Sequence, residues 1–404
     1  MLQYLKFTLG TFQQRKLRSI LTMIGIVIGI AMIVTLISLG QGLKSTINDQ
    51  FQAMGTDKII ISPGGSNSFF GMGQVGGPKL LEKDLETIKK TSGIEMASGM
   101  SYKIAKISFK NQIKYTWLLG LPTDESKTLI QSFSNFKIVE GRDLQPTDKY
   151  VALVGYRLYN EKFYDKPIEL RDKIVIEGVE FRVVGKMGKI GNPQDDSQIY
   201  IPIDTYMEII GGKKDYGMIL AQVSDPSKVD ETAERVKKEL RKERDVEKGE
   251  EDFSVQTTQQ AIDSFSTILN VVQAVLIGLA TISLVVGGVG IMNTMYTSVM
   301  ERTREIGIMK AIGAKNSSIV TIFLIEAGVL GLVGGAIGTS LGIIAGKLVE
   351  FIASSAGYSI LKIKFSASLI IFSIIFSFTV GAIAGILPAI RASRLKPVEA
   401  LRYE

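Results

Sequence analysis

Long uncharged stretches alternate with mixed polar sequence along this chain of 404 residues. Residues 19–43, 264–300 and 365–390 carry no charged side chain, and residues 316–346 carry only Glu326. Each stretch is long enough, as an α-helix, to cross a hydrocarbon core of roughly 30 Å. The pattern predicts four transmembrane helices, at residues 19–43, 270–296, 317–348 and 367–390.

The first apolar stretch follows Arg15, Lys16 and Arg18, an arrangement that signal peptides share. Two features favour a retained anchor instead. The uncharged stretch is longer than a typical signal-peptide core, and no A-x-A cleavage site follows it.

Residues 44–263 have strand and helix periodicity instead of a continuous apolar run. A strand–helix–strand pattern occurs at each end, with strands at 58–62, 218–223 and 253–257 and amphipathic helices at 81–90 and 227–244. A hairpin is predicted over 102–109 and 113–119. Residues 121–213 contain short strands, for example 173–176 and 179–184 on either side of Glu177-Gly178, and we interpret them as an inserted β-rich subdomain.

Two apolar stripes extend beyond the predicted membrane surface at helical spacing. They are Leu36, Leu39, Leu43, Ile47, Phe51 and Met54 on one side, and Ile262, Phe265, Leu269 and Val272 on the other. The stripes indicate either a packed stalk that continues both helices outward or the buried faces of the domain's base.

The short segments that flank the apolar stretches differ in charge. Residues 1–18, 301–315 and 391–404 together hold twelve Lys or Arg and four Asp or Glu, whereas residues 351–364 hold two Lys. The positive-inside rule therefore predicts cytoplasmic termini, a cytoplasmic loop at 297–316 and an external loop at 349–366 in a multi-pass protein of the cell membrane. Residues 44–263 would be extracytoplasmic. The basic pI thus reflects topology, and no nucleic acid partner is expected.

Composition and motifs exclude much familiar chemistry. The sequence has no Cys and no His, so thiol nucleophiles, imidazole bases and metal sites built on either residue are excluded. No G-x-x-x-x-G-K-[ST] phosphate loop and no strand-linked G-x-G-x-x-G occurs. We therefore expect no catalytic residue, no metal and no cofactor bound by this chain.

Residues 63–78 contain six glycines together with Phe69, Phe70 and Met72. They are interpreted as a flexible loop or, alternatively, as a mobile apolar lip that touches a substrate or a partner.

Two features stand out within the predicted membrane helices. Gly334, Gly338, Gly342 and Gly346 recur every four residues, a spacing typical of close helix packing within a bundle or between protomers, and less typical of a substrate path. Glu326 is an ionisable residue within a span, which makes it a candidate either for proton coupling or for a structural contact, with a neighbouring helix or with the membrane interface.

The loop at 297–316 combines a short charged helix with a glycine-containing exit. One predicted face holds Ile306, Met309 and Ile312 or Gly313, and another holds Arg302, Glu305 and Lys310. Such a helix can be a connector that lies on the membrane surface. Charges of both signs favour a protein partner over an anionic lipid surface.

Six segments resemble MacB-type ABC transporter permeases, in the broader group that includes FtsX and the lipoprotein-releasing permeases. They are KLRSILTMIGI (16–26), MGTD (54–57), GGVGIMN (287–293), MERTREIG (300–307), KAIGA (310–314) and PAIRASRLKPVEALR (388–402). They span nearly the whole chain in the family's order.

The resemblance implies a fold: an α-helical membrane protein with four transmembrane helices plus a large α+β extracytoplasmic domain. In that domain, porter-like βαβ units (44–120 and 214–263) would carry the inserted β-rich subdomain (121–213). An amphipathic N-terminal segment (1–18) and a tail (391–404) would be cytoplasmic. It further implies a homodimer and a coupling segment that docks on an ATPase through Glu301, Arg302, Thr303, Arg304, Glu305, Gly307, Lys310 and Gly313.

MacB carries its ATPase on the same chain before the first span, whereas 18 residues precede that span here. We therefore expect a separate ABC ATPase subunit that binds ATP and Mg. The expected function is that of a membrane permease subunit, which uses ATP hydrolysis to export a hydrophobic compound, peptide or lipid-linked substrate. Alternatives are FtsX-like signalling to an extracytoplasmic partner protein, a secondary transporter or channel and, less consistent with the absence of His and Cys, a membrane-anchored enzyme.

Overall fold

The computed structural model describes residues 16–64, 78–133, 136–160, 163–210, 215–359 and 362–401. The chain forms two compact units. The helical unit comprises residues 1–44, 268–352 and 361–404, and the α+β unit comprises residues 45–267 and 353–360. Phe69, Phe70 and Met72, together with residues 1–15 of the predicted N-terminal segment, lie outside the described residues.

Long helices lie towards both ends of the described chain, and strands with shorter helices lie between them. The helices are α1 (Lys16–Met54), α2 (Glu82–Lys90), α3 (Lys127–Phe133), α4 (Tyr156–Asn160), α5 (Ile203–Ile210), α6 (Val229–Arg244), α7 (Thr258–Glu301), α8 (Thr303–Ala311), α9 (Asn316–Ser355), α10 (Ala367–Ser393) and α11 (Pro397–Leu401). The strands are β1 (Lys58–Pro63), β2 (Leu80–Leu81), β3 (Ile94–Phe109), β4 (Gln112–Leu121), β5 (Ile138–Gly141), β6 (Val151–Val154), β7 (Lys173–Ile176), β8 (Val179–Met187), β9 (Ile199–Pro202), β10 (Asp215–Tyr216), β11 (Met218–Val223) and β12 (Phe253–Thr257).

Four of the described helices, α1, α7, α9 and α10, are long and apolar enough to cross a membrane. This confirms the four predicted spans. The helices are longer than the uncharged stretches, because α1 continues to Met54 and α7 begins at Thr258. The apolar residues at these ends keep a helical periodicity, and the polar and charged residues between them do not interrupt the backbone hydrogen bonds of the helix.

The two ends of the α+β unit form a βαββαβ arrangement. Its strands lie in the order β12-β1-β11-β3, and every neighbouring pair is antiparallel. Helices α2 and α6 supply the two crossovers, as in ferredoxin-like folds. The strand–helix–strand pattern predicted at each end is thereby confirmed.

The segment between these ends adds strands to the same sheet path, which continues β3-β4-β9-β6-β8-β5. Both predicted hairpins are present. In the β3–β4 turn, Lys110 and Asn111 have φ values of 43° and 66°. In the β7–β8 turn, Glu177 and Gly178 have 47° and 87°. Two positive φ values are what a two-residue type I′ turn requires. Residues 121–213 thus belong to the same compact unit as the βαββαβ strands.

The ends of α1 and α7 pack together in the α+β unit. Phe51 and Ile262 are buried in one apolar cluster, and the Phe51 and Phe265 ring centroids are 6.0 Å apart. Both interpretations of the apolar stripes therefore find support, since the helices are continuous and their ends are buried faces of this unit.

Candidate functional site

Helix α8 is separated from α7 and α9 by local backbone signals. Thr303 Oγ1 donates to the carbonyl oxygens of Val299 and Met300, at 3.1 and 2.8 Å, where α7 ends. At the other end, Gly313 has φ +95° and the Ala314 amide donates to the Met309 carbonyl over 3.0 Å. This is the Schellman motif that ends a helix at a glycine in the left-handed region.

The beginning of α8 is tied to α9 by a shielded ion pair. Arg302 Nη1 donates to Glu326 Oε2 over 3.1 Å, and the two side chains are only 17% and 13% exposed. Arg302 Nε also lies 3.8 Å from the exposed Glu305 carboxylate. Of the two roles that the sequence left open for Glu326, the structure places the carboxylate in hydrogen-bond contact with a neighbouring element.

The end of α8 is tied to the end of α10. Lys310 Nζ donates to the carbonyl oxygens of Ser393 and Leu395, at 2.5 and 2.8 Å. Carbonyl groups at a helix C-terminus lack partners within the helix, and a lysine ammonium satisfies them. Helix α11 also packs on α8. The short helix is therefore fixed at both ends, to two different long helices.

The eight residues predicted to contact an ATPase fall into two groups. Exposed positions are Glu301, Arg304, Glu305 and Gly313, whereas Arg302, Thr303, Gly307 and Lys310 are buried or half-buried. The structure therefore leaves the first group accessible to a partner and engages Arg302, Thr303 and Lys310 of the second group in contacts within the helical unit.

The predicted apolar face of this segment is wrong at one end. Ile306 is fully buried and Met309 half-buried, but Ile312 is 80% exposed. Helix α8 ends at Ala311, with Ile312 as its C-cap, and the turn at Gly313 then redirects the chain. Ile308 is exposed as well, so two isoleucines accompany the accessible charges.

Glycines on α9 bring its backbone close to three other segments. A methyl group on Gly338 would lie 2.7 Å from the Val27 carbonyl oxygen of α1, and one on Gly342 would lie 2.8 Å from that of Ala31. Gly334 faces Ile26 of α1, and Gly346 faces the Phe365 ring. The four-residue stripe thus packs within one chain, mainly against α1.

A second glycine face of α9 lies against α10. Gly331 approaches the backbone of Gly381 and Ser377, and the Thr339 and Ser373 hydroxyls hydrogen-bond over 2.9 Å. The four-residue spacing does not predict this second face, although Gly331 and Gly335 stand beside the stripe in the sequence.

No described group of three or more Asp or Glu side chains is arranged to hold a metal ion.

Family models match both parts of the chain. The MacB-like periplasmic core domain matches residues 19–239, and the FtsX-like permease C-terminal model matches residues 277–397, which include α8. An uncharacterized ABC transporter permease of Methanocaldococcus jannaschii is 37% identical over 98% of this chain and 97% of its own length. The chain belongs to the MacB/FtsX-type ABC transporter permeases.

Other relatives of this permease differ in length. The macrolide export ATP-binding/permease protein MacB of Bdellovibrio bacteriovorus is 32% identical over all of this chain, which spans 62% of that protein. The uncharacterized ABC transporter permease YknZ of Bacillus subtilis is 28% identical over the full length of both chains. The solved periplasmic region of MacB from Actinobacillus actinomycetemcomitans is 18% identical, covers 54% of this chain and 97% of its own, and superposes with a TM-score of 0.44.

Proposed function

We propose that this permease couples ATP hydrolysis by a separate cytoplasmic ATPase subunit to conformational work on the other side of the membrane, with export of a hydrophobic compound, peptide or lipid-linked substrate as its result. The observation that carries the proposal is the arrangement of α8. One group of its residues, with Arg304 and Glu305, is accessible and carries both signs of charge. The other group is anchored to α9 and α10.

An accessible mixed-charge surface fits a protein groove. Arg304 and Glu305 can each find an opposite charge there, and Ile308 and Ile312 supply apolar contacts. A partner that pushes on α8 would move it together with its anchors. The continuous helices α1 and α7 would then carry the motion to the α+β unit.

The proposal is tested on the complex with the ATPase that co-purifies with the wild-type chain. Arg304→Glu reverses an accessible charge, and losing a desolvated interface pair costs roughly 2–5 kcal/mol, so we expect at least about tenfold weaker ATPase binding. The control is Arg182→Glu, the same change at an exposed position of β8. Unchanged binding and unchanged stimulated hydrolysis in Arg304→Glu, Glu305→Lys and Ile312→Asp would refute docking through α8.

The transport part of the proposal has its own test. Relatives named macrolide export proteins supply the probe, a macrolide, for uptake into inverted vesicles that contain the permease and its ATPase.

The second candidate, signalling to an external partner, is favoured by the FtsX-like match over residues 277–397. ATP-dependent conformational change without uptake of any tested hydrophobic compound would support signalling. Hydrolysis by the purified permease alone would contradict both candidates.

We also propose a homodimer formed through α7. Six residues on its outward surface follow alternating spacings of four and three, the period of a coiled-coil seam: Val271, Val275, Gly278, Ile282, Val285 and Val289. Gly278 has no atom of this chain within 4 Å of a methyl group placed on it. A second copy of α7 can approach closely at such a position.

The Cys-free background permits a direct test of this seam. Val271→Cys lies on the seam, and Val272→Cys is its neighbour about 100° around the helix. Oxidation should produce a disulfide-linked dimer from the first variant and much less from the second. Equal yields from both variants would exclude the seam as the dimer contact.

A further inference from the structure

The Arg302–Glu326 pair differs from the other ion pairs described in the helical unit. Arg302–Glu305, Lys347–Glu350 and Lys396–Glu399 each join residues three apart in sequence, and each pair includes a well-exposed side chain. Arg302 and Glu326 are 24 residues apart and join the beginning of α8 to α9. Such a link can transmit a displacement from one element to another, whereas a pair within one helix cannot.

The surroundings of Glu326 make the pair costly to break. The carboxylate lies ten residues into α9, next to Ala327 and one turn from Phe323 and Leu330, which are buried in the bundle core. A carboxylate in such a place is expensive without a cation, and removal of one member leaves the other charge uncompensated. Separation of α8 from α9 would therefore cost more free energy than the breaking of an ion pair between two exposed side chains.

The other anchor of α8 has a different character. Lys310 binds the neutral carbonyl oxygens of Ser393 and Leu395 at the end of α10, so this anchor joins a charge to uncharged acceptors. The charged, shielded anchor joins α9, and α9 is also the helix with glycine faces toward α1 and α10. A displacement of α8 is thus passed most directly to α9.

We infer that Arg302 and Glu326 are positioning residues that transmit the movement of α8 to α9, without themselves contacting the ATPase. The inference rests on the proposed function for its role in coupling. Its geometric part, that the pair fixes α8 relative to α9, holds or fails without any ATPase.

The geometric part is tested with two spin labels on the full chain in detergent. Ile308→Cys on α8 and Leu332→Cys on α9 are exposed positions outside the pair. The distance distribution should be narrow in the wild type and broadened by Glu326→Gln or Arg302→Gln. It should narrow again in Arg302→Lys and in the charge exchange Arg302→Glu/Glu326→Arg. The control is Glu350→Gln. It also removes a carboxylate from α9, but that carboxylate pairs with Lys347 of the same helix and does not link α9 to α8.

The coupling part is measured on the complex with the co-purifying ATPase. We expect Glu326→Gln to leave ATPase affinity within about twofold of the wild type and to reduce stimulated hydrolysis per bound complex at least fivefold, with recovery in the charge exchange. An unchanged distance distribution in both single variants overturns the inference. A broadened distribution with wild-type stimulation per complex also overturns it, because the pair would then only stabilise the fold. The proposed docking is tested separately: unaltered ATPase binding by the Arg304→Glu variant would count against the docking and not against this inference.

Discussion

Gly25 of α1 and Gly287 of α7 place two helix backbones in direct contact. A methyl group on Gly25 would lie 2.6 Å from the Gly287 Cα, and one on Gly287 would lie 2.5 Å from the Ile26 amide nitrogen. Only residues without a Cβ allow this approach, which brings the first two membrane helices into backbone contact.

Gly287→Ala should therefore destabilise the bundle. Overpacking of a tight contact typically costs about 1–3 kcal/mol, because the neighbouring backbone must shift. The control is Gly288→Ala, the next residue on the same helix, where a methyl group would lie at an ordinary distance of 3.8 Å from the Ala384 Cβ. Thermal unfolding of both variants in detergent measures the difference. Equal melting temperatures of the two variants would show that the added methyl group at Gly287 does not destabilise the contact between α1 and α7.

Gly338→Leu should act on a different contact. The side chain would enter the space occupied by Val27 and Ile30 of α1, so we expect a lower melting temperature. Ile337→Leu at the neighbouring outward position is the control. Size-exclusion chromatography with light scattering should give an unchanged oligomer mass, because the contact lies within one chain. A lost dimer with unaltered thermal stability would instead indicate a contact between protomers.

The predicted orientation can be tested in intact cells. Single cysteines at Ser224 in the α+β unit and at Ser317 at the beginning of α9 are both exposed. We expect an impermeant thiol reagent to label Ser224→Cys and to leave Ser317→Cys unlabelled until the membrane is permeabilised. The reverse pattern would place α8 outside the cell and remove the basis for its contact with a cytoplasmic ATPase.

One carboxylate should make the α+β unit sensitive to acid. Arg142 donates to both Asp148 oxygens, at 2.6 and 2.8 Å, and the Gln145 amide adds a third bond of 2.8 Å. These bonds, with Arg142 contributing most, lower the pKa of Asp148 below its ordinary value. The stabilisation is therefore fully present above the unfolded-state pKa near about 4 and disappears as pH falls through the lower folded-state pKa.

Asp148→Asn should lower the free energy of unfolding at pH 7 by about 1–3 kcal/mol, as expected for hydrogen bonds to a charged group. The difference from the wild type should shrink as the pH falls below about 4. The single tryptophan, Trp117 on β4, provides a fluorescence signal for unfolding of this unit. Glu234→Gln, exposed on α6, is the control. A difference that does not depend on pH would show that the charge of Asp148 is not involved.

Local signals in the sequence account for much of the fold. The uncharged stretches predict four spans, and Glu177-Gly178 predicts a hairpin. A membrane helix and a tight turn are each determined by residues that are close in the sequence. The charge pattern alone does not predict the end of α1, since residues 44–54 are too polar for a membrane span, but the apolar stripe through Phe51 and Met54 indicates that the helix continues. Gly313 predicts the end of the short helix, but the sequence does not reveal that the Ile312 side chain is exposed.

Contacts between distant residues are beyond such signals. The parallel pairing of β4 with β9 and the pairing of β6 with β8 join strands that are separated by other elements. Likewise, Arg302 belongs to a charged segment that suggests a surface role. Only the fold brings it to Glu326, and its neighbour Arg304 remains exposed. Helical periodicity alone could not distinguish these two arginines.

The glycine faces of α9 have a consequence for how the bundle can move. Helices whose side chains interlock must leave one set of notches before they enter the next, and this favours discrete jumps. On α9, the positions of Gly338 and Gly342 receive the Ile30 and Val34 side chains of α1, and Gly331 lies against the Gly381 backbone of α10. Because side chains of α1 fill these glycine positions, we expect α9 to move relative to α1 in discrete steps and not by continuous sliding.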